Sequence, residues 1–440
     1  MEKLRFYLQW WFEYPLPTFI ERNLPQDIYT LRLIPALIGP RRSGKSTLFF
    51  QMIRELRNSY SSQNILYINF EDDRLLPLEG RELMGLLDVY RQFFPRDTSQ
   101  PTFLFLDEVQ NVPNWENSVR RIYETEPEVK LFLTGSNSRM LSSDLATALR
   151  GRTLSFKVFP LDFKEFLKFK NYPVAEINLK NLQFSPRKND LLFLFEEYLN
   201  FGGFPEVVLT ENVHVKELIL KEYIRTVFFA DIVQRYGIRQ VKLLDAFIKM
   251  LTRQMSSLFS AGKMVRSLHS IGFKVAKSTL AEYLGYVESA FLGKSISIFS
   301  YSARDQLQYP RKFYLLDNGL YRATAFVKDR DRGRLLENLV FTHLFRKYDD
   351  LFYWKNSGGY EVDFVVPELM SSDTGFPLIQ ACYNFAEAQV VKREVRALVK
   401  AANEFNLNRA LIVTRDVWDE IKQDDLTIRV IPFIQWVLQE

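Results

Sequence analysis

The sequence predicts an α/β fold: a three-layer domain on a parallel sheet, then helical segments, then a smaller C-terminal α/β domain. Three observations predict it. The apolar run Leu31 to Ile38 leads into Gly39-Pro40-Arg41-Arg42-Ser43-Gly44-Lys45-Ser46-Thr47 and a helix-like stretch to Leu56. A second apolar run, Thr102 to Leu106, ends in Asp107-Glu108. Between and beyond them, short apolar runs alternate with helix-length segments through residue 158, which is the rhythm of a parallel sheet with crossover helices.

The stretch Gly39–Thr47 has the spacing of a phosphate-binding loop in its proper context, between a strand and a helix. Gly39 and Gly44 let the backbone bend so that successive N–H groups turn inward toward phosphate oxygens, and the helix start adds partial positive charge there. The Lys45 ammonium can reach the β- and γ-phosphates of ATP, and the Ser46 hydroxyl can complete a Mg²⁺ shell. Asp107 would orient that shell, and Glu108 would polarise the attacking water. These assignments make ATP and Mg²⁺ the expected ligands, with Lys45, Asp107 and Glu108 as catalytic candidates.

The rest of the first domain follows in order. Residues 1–30 read as an aromatic lead-in with one helix and a turn at Pro15-Leu16-Pro17. Asn64 to Phe70 is a buried strand, followed by Glu71-Asp72-Asp73 where loops of open α/β sheets hold ligands, and then a helix from Gly80 to Phe94. A helix over Asn114–Glu124 precedes the strand Val129–Thr134, which ends in Gly135-Ser136-Asn137-Ser138. Ser136 there can sense the γ-phosphate or cap a helix; both roles are compatible. Arg150 and Arg152, at the end of a helix, are candidates for a guanidinium supplied in trans to a neighbouring phosphate, which would require a homo-oligomer, or for solvated and salt-bridged surface residues.

Composition limits the classes available. At 440 residues, the chain is long enough for two to four domains. Hydrophobic content of 47% and charged content of 25% are ordinary for a globular protein, while 38 phenylalanines imply large aromatic cores. A net charge of +5 permits an acidic partner without requiring one. Cys382 is the single cysteine, so no intramolecular disulfide forms, and a reducing cytoplasm is the expected compartment. His214, His269 and His343 show no metal-ligand spacing. No uncharged apolar run approaches the roughly 18 residues of a membrane span, and no signal peptide is evident.

Beyond residue 159 the pattern changes. Residues 160–214 read as a helical lid or linker that closes on Gly202-Gly203-Phe204-Pro205. Residues 215–325 read as a winged helix: Ser260–Leu268 and Ala276–Leu284 form a helix-turn-helix capped by Ser278, and Ser295–Tyr301 with Arg311–Leu316 form the wing. Lys274, Lys277, Arg304, Arg311 and Lys312 would line an edge suited to double-stranded or branched DNA, although a winged helix can equally serve as a packing module. From residue 326 to 440 the sequence offers a helix at Leu335, paired strands Leu351–Trp354 and Tyr360–Val366, a third strand Pro377–Tyr383, the amphipathic helix Ala388–Phe405, and the strand Arg409–Thr414.

The loop with its Arg41-Arg42 pair, the Leu106-Asp107-Glu108-Val109-Gln110 strand end and the Leu133-Thr134-Gly135-Ser136 turn together resemble the predicted AAA+-type ATPases of archaea and bacteria in the AAA_14 plus DUF4143 arrangement. The resemblance spans nearly the whole chain, including Gly151-Arg152 and Gly202–Pro205. It implies a P-loop NTPase core, a winged helix, and a C-terminal domain similar to restriction-endonuclease folds. A working site of that last class would need an acidic helix residue, an Asp on the second strand and Glu-x-Lys on the third. Glu337 and Asp363 fill the first two places, but the third strand has Gln380-Ala381-Cys382, and Lys392 is the nearest substitute, so the domain is expected to be inactive. The leading functional expectation is a Mg²⁺-dependent ATPase that binds ATP and ADP, with no membrane, and whose cycle moves the winged-helix and C-terminal domains. The alternatives are a motor or nuclease acting on branched or foreign DNA, and a slow ATP-gated switch that recruits another protein.

Overall fold

A computed structural model of the chain describes residues 2–25, 27–75, 77–78, 80–138, 149–174, 177, 179–325 and 331–439. It divides into two compact units, residues 1–159 and 160–440.

The first unit is a five-stranded sheet of β1 (Ile34–Ile38), β2 (Ile65–Asn69), β3 (Thr102–Asp107), β4 (Val129–Gly135) and β5 (Thr153–Lys157), in the order β2-β3-β4-β1-β5 with every pairing parallel. Helices α1 (Glu2–Glu13), α2 (Lys45–Leu56), α3 (Gly80–Phe93) and α4 (Trp115–Thr125) flank it. All five residues of β1 and all six of β3 are buried, as strands covered on both faces require. Helix α2 buries Leu48, Phe49, Met52, Ile53 and Leu56 against Tyr67, Phe103, Phe105 and Phe132 of the sheet. Within this layer the Phe105 and Phe132 rings stack at 4.6 Å, and Phe49 meets Phe105 edge-on at 5.0 Å. The lead-in helix α1 packs on α3 and β2, and the indole N–H of Trp11 donates to the Ile65 carbonyl at 2.8 Å. This order makes β3, β4 and β1 consecutive neighbours, so the loops leaving their C-terminal ends share one edge of the sheet.

The second unit carries a nine-stranded mixed sheet of β6 (Leu258–Phe259), β7 (Gly293–Ile298), β8 (Arg311–Leu315), β9 (Phe352–Lys355), β10 (Glu361–Val365), β11 (Leu378–Cys382), β12 (Arg409–Thr414), β13 (Asp419–Gln423) and β14 (Leu426–Pro432). Its order is β13-β14-β12-β11-β10-β9-β7-β8-β6. Helices Val241–Arg253, Ala261–Ser270 and Lys277–Ser289 precede the antiparallel pair β7/β8, and β6 pairs with β8, which is the element order of a winged helix. Ser260 caps Ala261–Ser270 by accepting from the Lys263 amide. Ser278 is not a cap: Lys277–Ser289 starts after Ala276, which places Ser278 inside the first turn.

Two tertiary features add to the domain layout read in the sequence. Strand β7 pairs in parallel with β9, Ser297 opposite Phe352, so one sheet runs through the segments expected to separate near residue 325. The Gly202-Gly203 turn, read as the end of a lid, is a docking point inside the second unit. The Gly203 amide donates to Asp317 Oδ2 at 2.6 Å, and a Cβ on Gly202 (φ +71) would lie 1.8 Å from Asp317 Oδ1. Asn318 Nδ2 also donates to the Leu199 carbonyl at 2.8 Å, fastening helix Lys188–Phe201 to the same place.

Asp317 accepts from the amides of both Gly203 and Gly319 and is buried. Asp317→Ala strands both donors and is expected to cost about 2–4 kcal/mol, read as a lower denaturant midpoint with unchanged far-UV circular dichroism. A midpoint equal to wild type would refute this assignment.

Candidate functional site

The loop after β1 turns so tightly that its conformation selects its residues. A Cβ at Gly39 would sit 1.9 Å from the Val158 carbonyl oxygen, and both Arg42 (φ 63) and Gly44 (φ 96) are left-handed. Gly44 is also the N-cap of α2 and makes no side-chain cap bond, so no capping side chain satisfies the first amides of α2. Ser43 is fully buried, and its Oγ has no partner among the described residues. An uncapped helix start beside an orphaned buried hydroxyl fits an anionic ligand such as a phosphate chain. The loop is braced from behind by Arg22, which donates to the carbonyls of Ser43 (2.6 Å) and Phe159 (3.1 Å).

Lys45 points across this loop toward the end of β3. Its ammonium donates to the Gly39 and Pro40 carbonyls at 3.1 and 3.0 Å and pairs with Glu108 Oε1 at 3.1 Å. Burial works against the Glu108 charge, but Lys45, Gln110, Arg41 and Ser136 together outweigh it and hold the carboxyl below its ordinary value. Glu108 is itself in the left-handed region at φ 53, a strained conformation for a residue with a side chain. Its amide is held by Thr134 Oγ1 at 2.8 Å, and the Thr134 hydroxyl donates in turn to Asp107. Asp107 has no exposed surface and also accepts from the Tyr67 hydroxyl at 2.7 Å. Burial first, and then the neighbouring Glu108 charge, push the Asp107 carboxyl up, while Ser46, Thr134 and Tyr67 offset part of that by hydrogen bonding.

The structure therefore gathers Lys45, Ser46, Asp107, Glu108 and Ser136 at one edge. Arg41 turns to an ion pair with Glu71, the first of the three acidic residues after β2. Arg150 and Arg152 are elsewhere. The Arg152 carbonyl accepts from the Ile34 amide at the start of β1, the opposite edge of the parallel sheet, and its side chain pairs with Glu124 at 2.8 Å. Neither can serve this chain's own loop, and the helix expected before Arg150 lies outside the described residues. Sequence reasoning missed Gln110. Its Nε2 donates to Glu108 Oε2 at 2.5 Å and to Ser136 Oγ at 3.1 Å. Its position two residues past Glu108, in the 3₁₀ turn Val109–Asn111, was the available signal.

A second cluster occupies the C-terminal unit. Lys312 on β8, read as part of a DNA-facing edge, is instead 1% exposed. Its ammonium lies 2.7 Å from Glu361, 2.8 Å from Asp363 and 3.0 Å from Glu337. The Tyr314 hydroxyl donates to Glu337 at 2.7 Å. Gln380 accepts from the Asp363 amide and donates to Glu394 at 2.6 Å. Glu337 and Asp363 do converge as expected, but the lysine beside them comes from β8 and not from the third strand or Lys392. Burial, then the Asp363 charge, push the Glu337 carboxyl up to about 8. Burial opposes the Lys312 charge, yet Asp363, Glu337 and Glu361 overcome it and raise its pKa well above the ordinary lysine value. Among the described residues, no group of three or more His, Cys, Asp or Glu forms a metal site.

A five-stranded parallel sheet whose first strand feeds a glycine loop and Lys-Ser, with Asp-Glu at the end of the strand two places along, defines a P-loop NTPase fold. The family descriptions that match agree: an AAA domain over residues 32–167, a domain of unknown function (DUF8612) over 192–331, and a second (DUF4143) over 332–434. An uncharacterised protein of Methanocaldococcus jannaschii is 35% identical over 422 residues, covering 93% of this chain and 90% of the relative. One from Haemophilus influenzae is 29% identical over 413 residues, covering 92% and 94%. The chain belongs to this family of AAA-domain proteins with a C-terminal DUF4143 domain. Among solved structures, a Walker-type ATPase of Pyrococcus abyssi is similar at 15% identity and a TM-score of 0.40, covering 66% of this chain and 90% of that one.

Lys312 lies in the middle family segment and its carboxylates in the last, so the cluster fastens the two together. Lys312→Met leaves buried carboxylates without their cation and is expected to destabilise the chain by about 3–5 kcal/mol. The loss grows with pH. Without the ammonium the folded carboxyls hold protons that the unfolded chain has released, so stability falls as pH rises from the ordinary carboxylate range past the raised values. Chemical denaturation at pH 6 and pH 8 reads this directly, and a pH-independent loss would contradict it.

Proposed function

We propose that the protein binds and hydrolyses ATP with Mg²⁺ at the edge formed by β1, β3 and β4. The observation that carries this reading is the buried Lys45–Glu108 pair beside the uncapped start of α2: an ammonium and a carboxylate that phosphate can separate. Lys45 and the loop amides from Arg41 to Thr47 hold the phosphates, so that binding breaks the Lys45–Glu108 pair and frees one carboxylate oxygen. Ser46 and Asp107 would hold Mg²⁺, which when bound supplies charge neutralisation at the phosphates. Glu108 takes the proton of the attacking water, Ser136 faces the terminal phosphate, and most of the rate comes from positioning and fixed charge. Arg150 or Arg152 serves a neighbouring chain's phosphate in an assembly, since neither reaches its own. Because one sheet runs from β6 to β13, the winged helix and the C-terminal domain respond to the nucleotide cycle as a single body.

A second reading, contact with double-stranded DNA, is favoured by Lys263, Arg266, Lys274 and Lys277, which are all exposed around the helix-turn-helix. It predicts binding that weakens steeply with salt, and mobility unaffected by duplex or branched DNA at low salt would remove it. No helix among the described residues is long and apolar enough to cross a membrane.

Two variants test the ATPase reading. Lys45→Ala is expected to abolish ATP binding in a fluorescent-nucleotide titration. Glu108→Gln is expected to keep binding while turnover falls by about 10²–10⁴-fold; equal turnover by wild type and Glu108→Gln would take that role from Glu108.

A further inference from the structure

Gln110 stands between the two polar residues that the ATPase reading places nearest the terminal phosphate. Its amide orientation is fixed by chemistry: the Glu108 carboxylate only accepts, so the Gln110 NH₂ must face it, as the 2.5 Å contact from Nε2 requires. The same NH₂ donates to Ser136 Oγ at 3.1 Å. The side chain is thus a crosspiece joining the loop after β3 to the loop after β4. Its remaining polar atom, Oε1, is buried and has no donor among the described residues. A buried carbonyl oxygen without a donor is costly, and such orphans persist where a ligand supplies the missing hydrogen.

Both oxygens of the neighbouring Glu108 carboxylate are committed. Glu108 Oε1 is paired with Lys45 and Oε2 is tied by Gln110, and the Glu108 backbone is held in a left-handed turn by Thr134. When phosphates draw Lys45 away, Oε1 becomes free while Oε2 stays tied, so the carboxylate keeps its orientation through the exchange. A water on the free side of Glu108 would have one proton for Oε1 and a second for a neighbouring acceptor, and Gln110 Oε1 is an acceptor without a donor.

We propose that Gln110 is a positioning residue for hydrolysis, its NH₂ fixing Glu108 against Ser136 and its Oε1 accepting a hydrogen bond from the attacking water. This rests on the ATPase reading above. In the step it serves, the water oxygen forms a bond to the γ-phosphorus as the bond from phosphorus to the β,γ-bridging oxygen breaks. The electron pair of that bond leaves with ADP. One water proton passes to Glu108 and then to the released phosphate. Gln110 exchanges no proton and sets only the direction of attack.

The test uses the full chain with Mg²⁺, comparing wild type, Gln110→Met, Gln110→Glu, Glu108→Gln and the Gln110→Met/Glu108→Gln double variant. Fluorescent-ATP titration, steady-state phosphate release and thermal melting are measured for each. Met keeps the length and removes both hydrogen-bonding functions; Glu keeps an acceptor but sets a second carboxylate against Glu108. Both Gln110 single variants are expected to bind ATP within about threefold of wild type and to lose at least about tenfold in kcat, with Gln110→Met melting alongside wild type. In the Glu108→Gln background Gln110→Met is expected to cost little more, because residues acting as a unit are not additive. Wild-type kcat in Gln110→Met, a full multiplicative loss in the double variant, or joint loss of binding and melting temperature would each overturn the proposal while leaving the ATPase reading intact. Absence of turnover in wild type itself would overturn both.

Discussion

An ammonium group taken out of water must be met by carboxylate, since an unpaired buried charge costs several kcal/mol. Both units of this protein are organised around that constraint. In the first, Lys45 is 4% exposed and rests on Glu108 and two loop carbonyls. In the second, Lys312 is met by Glu337, Glu361 and Asp363. The consequences differ because the partners differ. A single carboxylate at the head of an open helix N-terminus can be exchanged for phosphate. Three carboxylates from α-helix and strand, tied further to the Tyr314 hydroxyl and the Ala381 amide, form a closed network that leaves the lysine no comparable alternative.

The sheet orders decide what each cluster connects. Placing β3, β4 and β1 side by side brings the glycine loop, Asp107-Glu108 and Ser136 to one edge, with Thr134 and Tyr67 fixing the Asp107 carboxylate from inside the sheet. In the second unit β7 bridges β8 and β9, so Lys312 on β8 reaches acids on the C-terminal side within continuous hydrogen-bonded structure. Within the second unit, this continuity places Glu337 and Asp363 against Lys312, so the endonuclease-like pair is engaged internally.

What could be read from the sequence was what is local. The phosphate loop, the Asp-Glu strand end and the alternating buried strands follow from contiguous residues, and the first unit matches them closely. The Lys312 cluster joins residues 25 and 51 positions apart, and a lysine in the alternating stretch Arg311–Leu315 reads as solvent-facing until the pairing of β8 is known. Strand β13 is almost wholly exposed and polar, Asp419–Gln423, and carries no apolar period to detect. Gly202-Gly203 was legible as a turn, but its reason, a carboxylate from residue 317 seated against it, lies in tertiary structure. Gln110 was visible as a neighbour of Glu108, yet its crosspiece role depends on β4 lying beside β3.

The most direct test of the central claim is a crystal structure with Mg²⁺ and a non-hydrolysable ATP analogue. Exchange of the buried pair predicts that the Lys45 ammonium leaves Glu108 and the Gly39 and Pro40 carbonyls for the β- and γ-phosphate oxygens, with Glu108 still tied to Gln110. A nucleotide bound elsewhere, with the 3.1 Å Lys45–Glu108 contact intact, would contradict it.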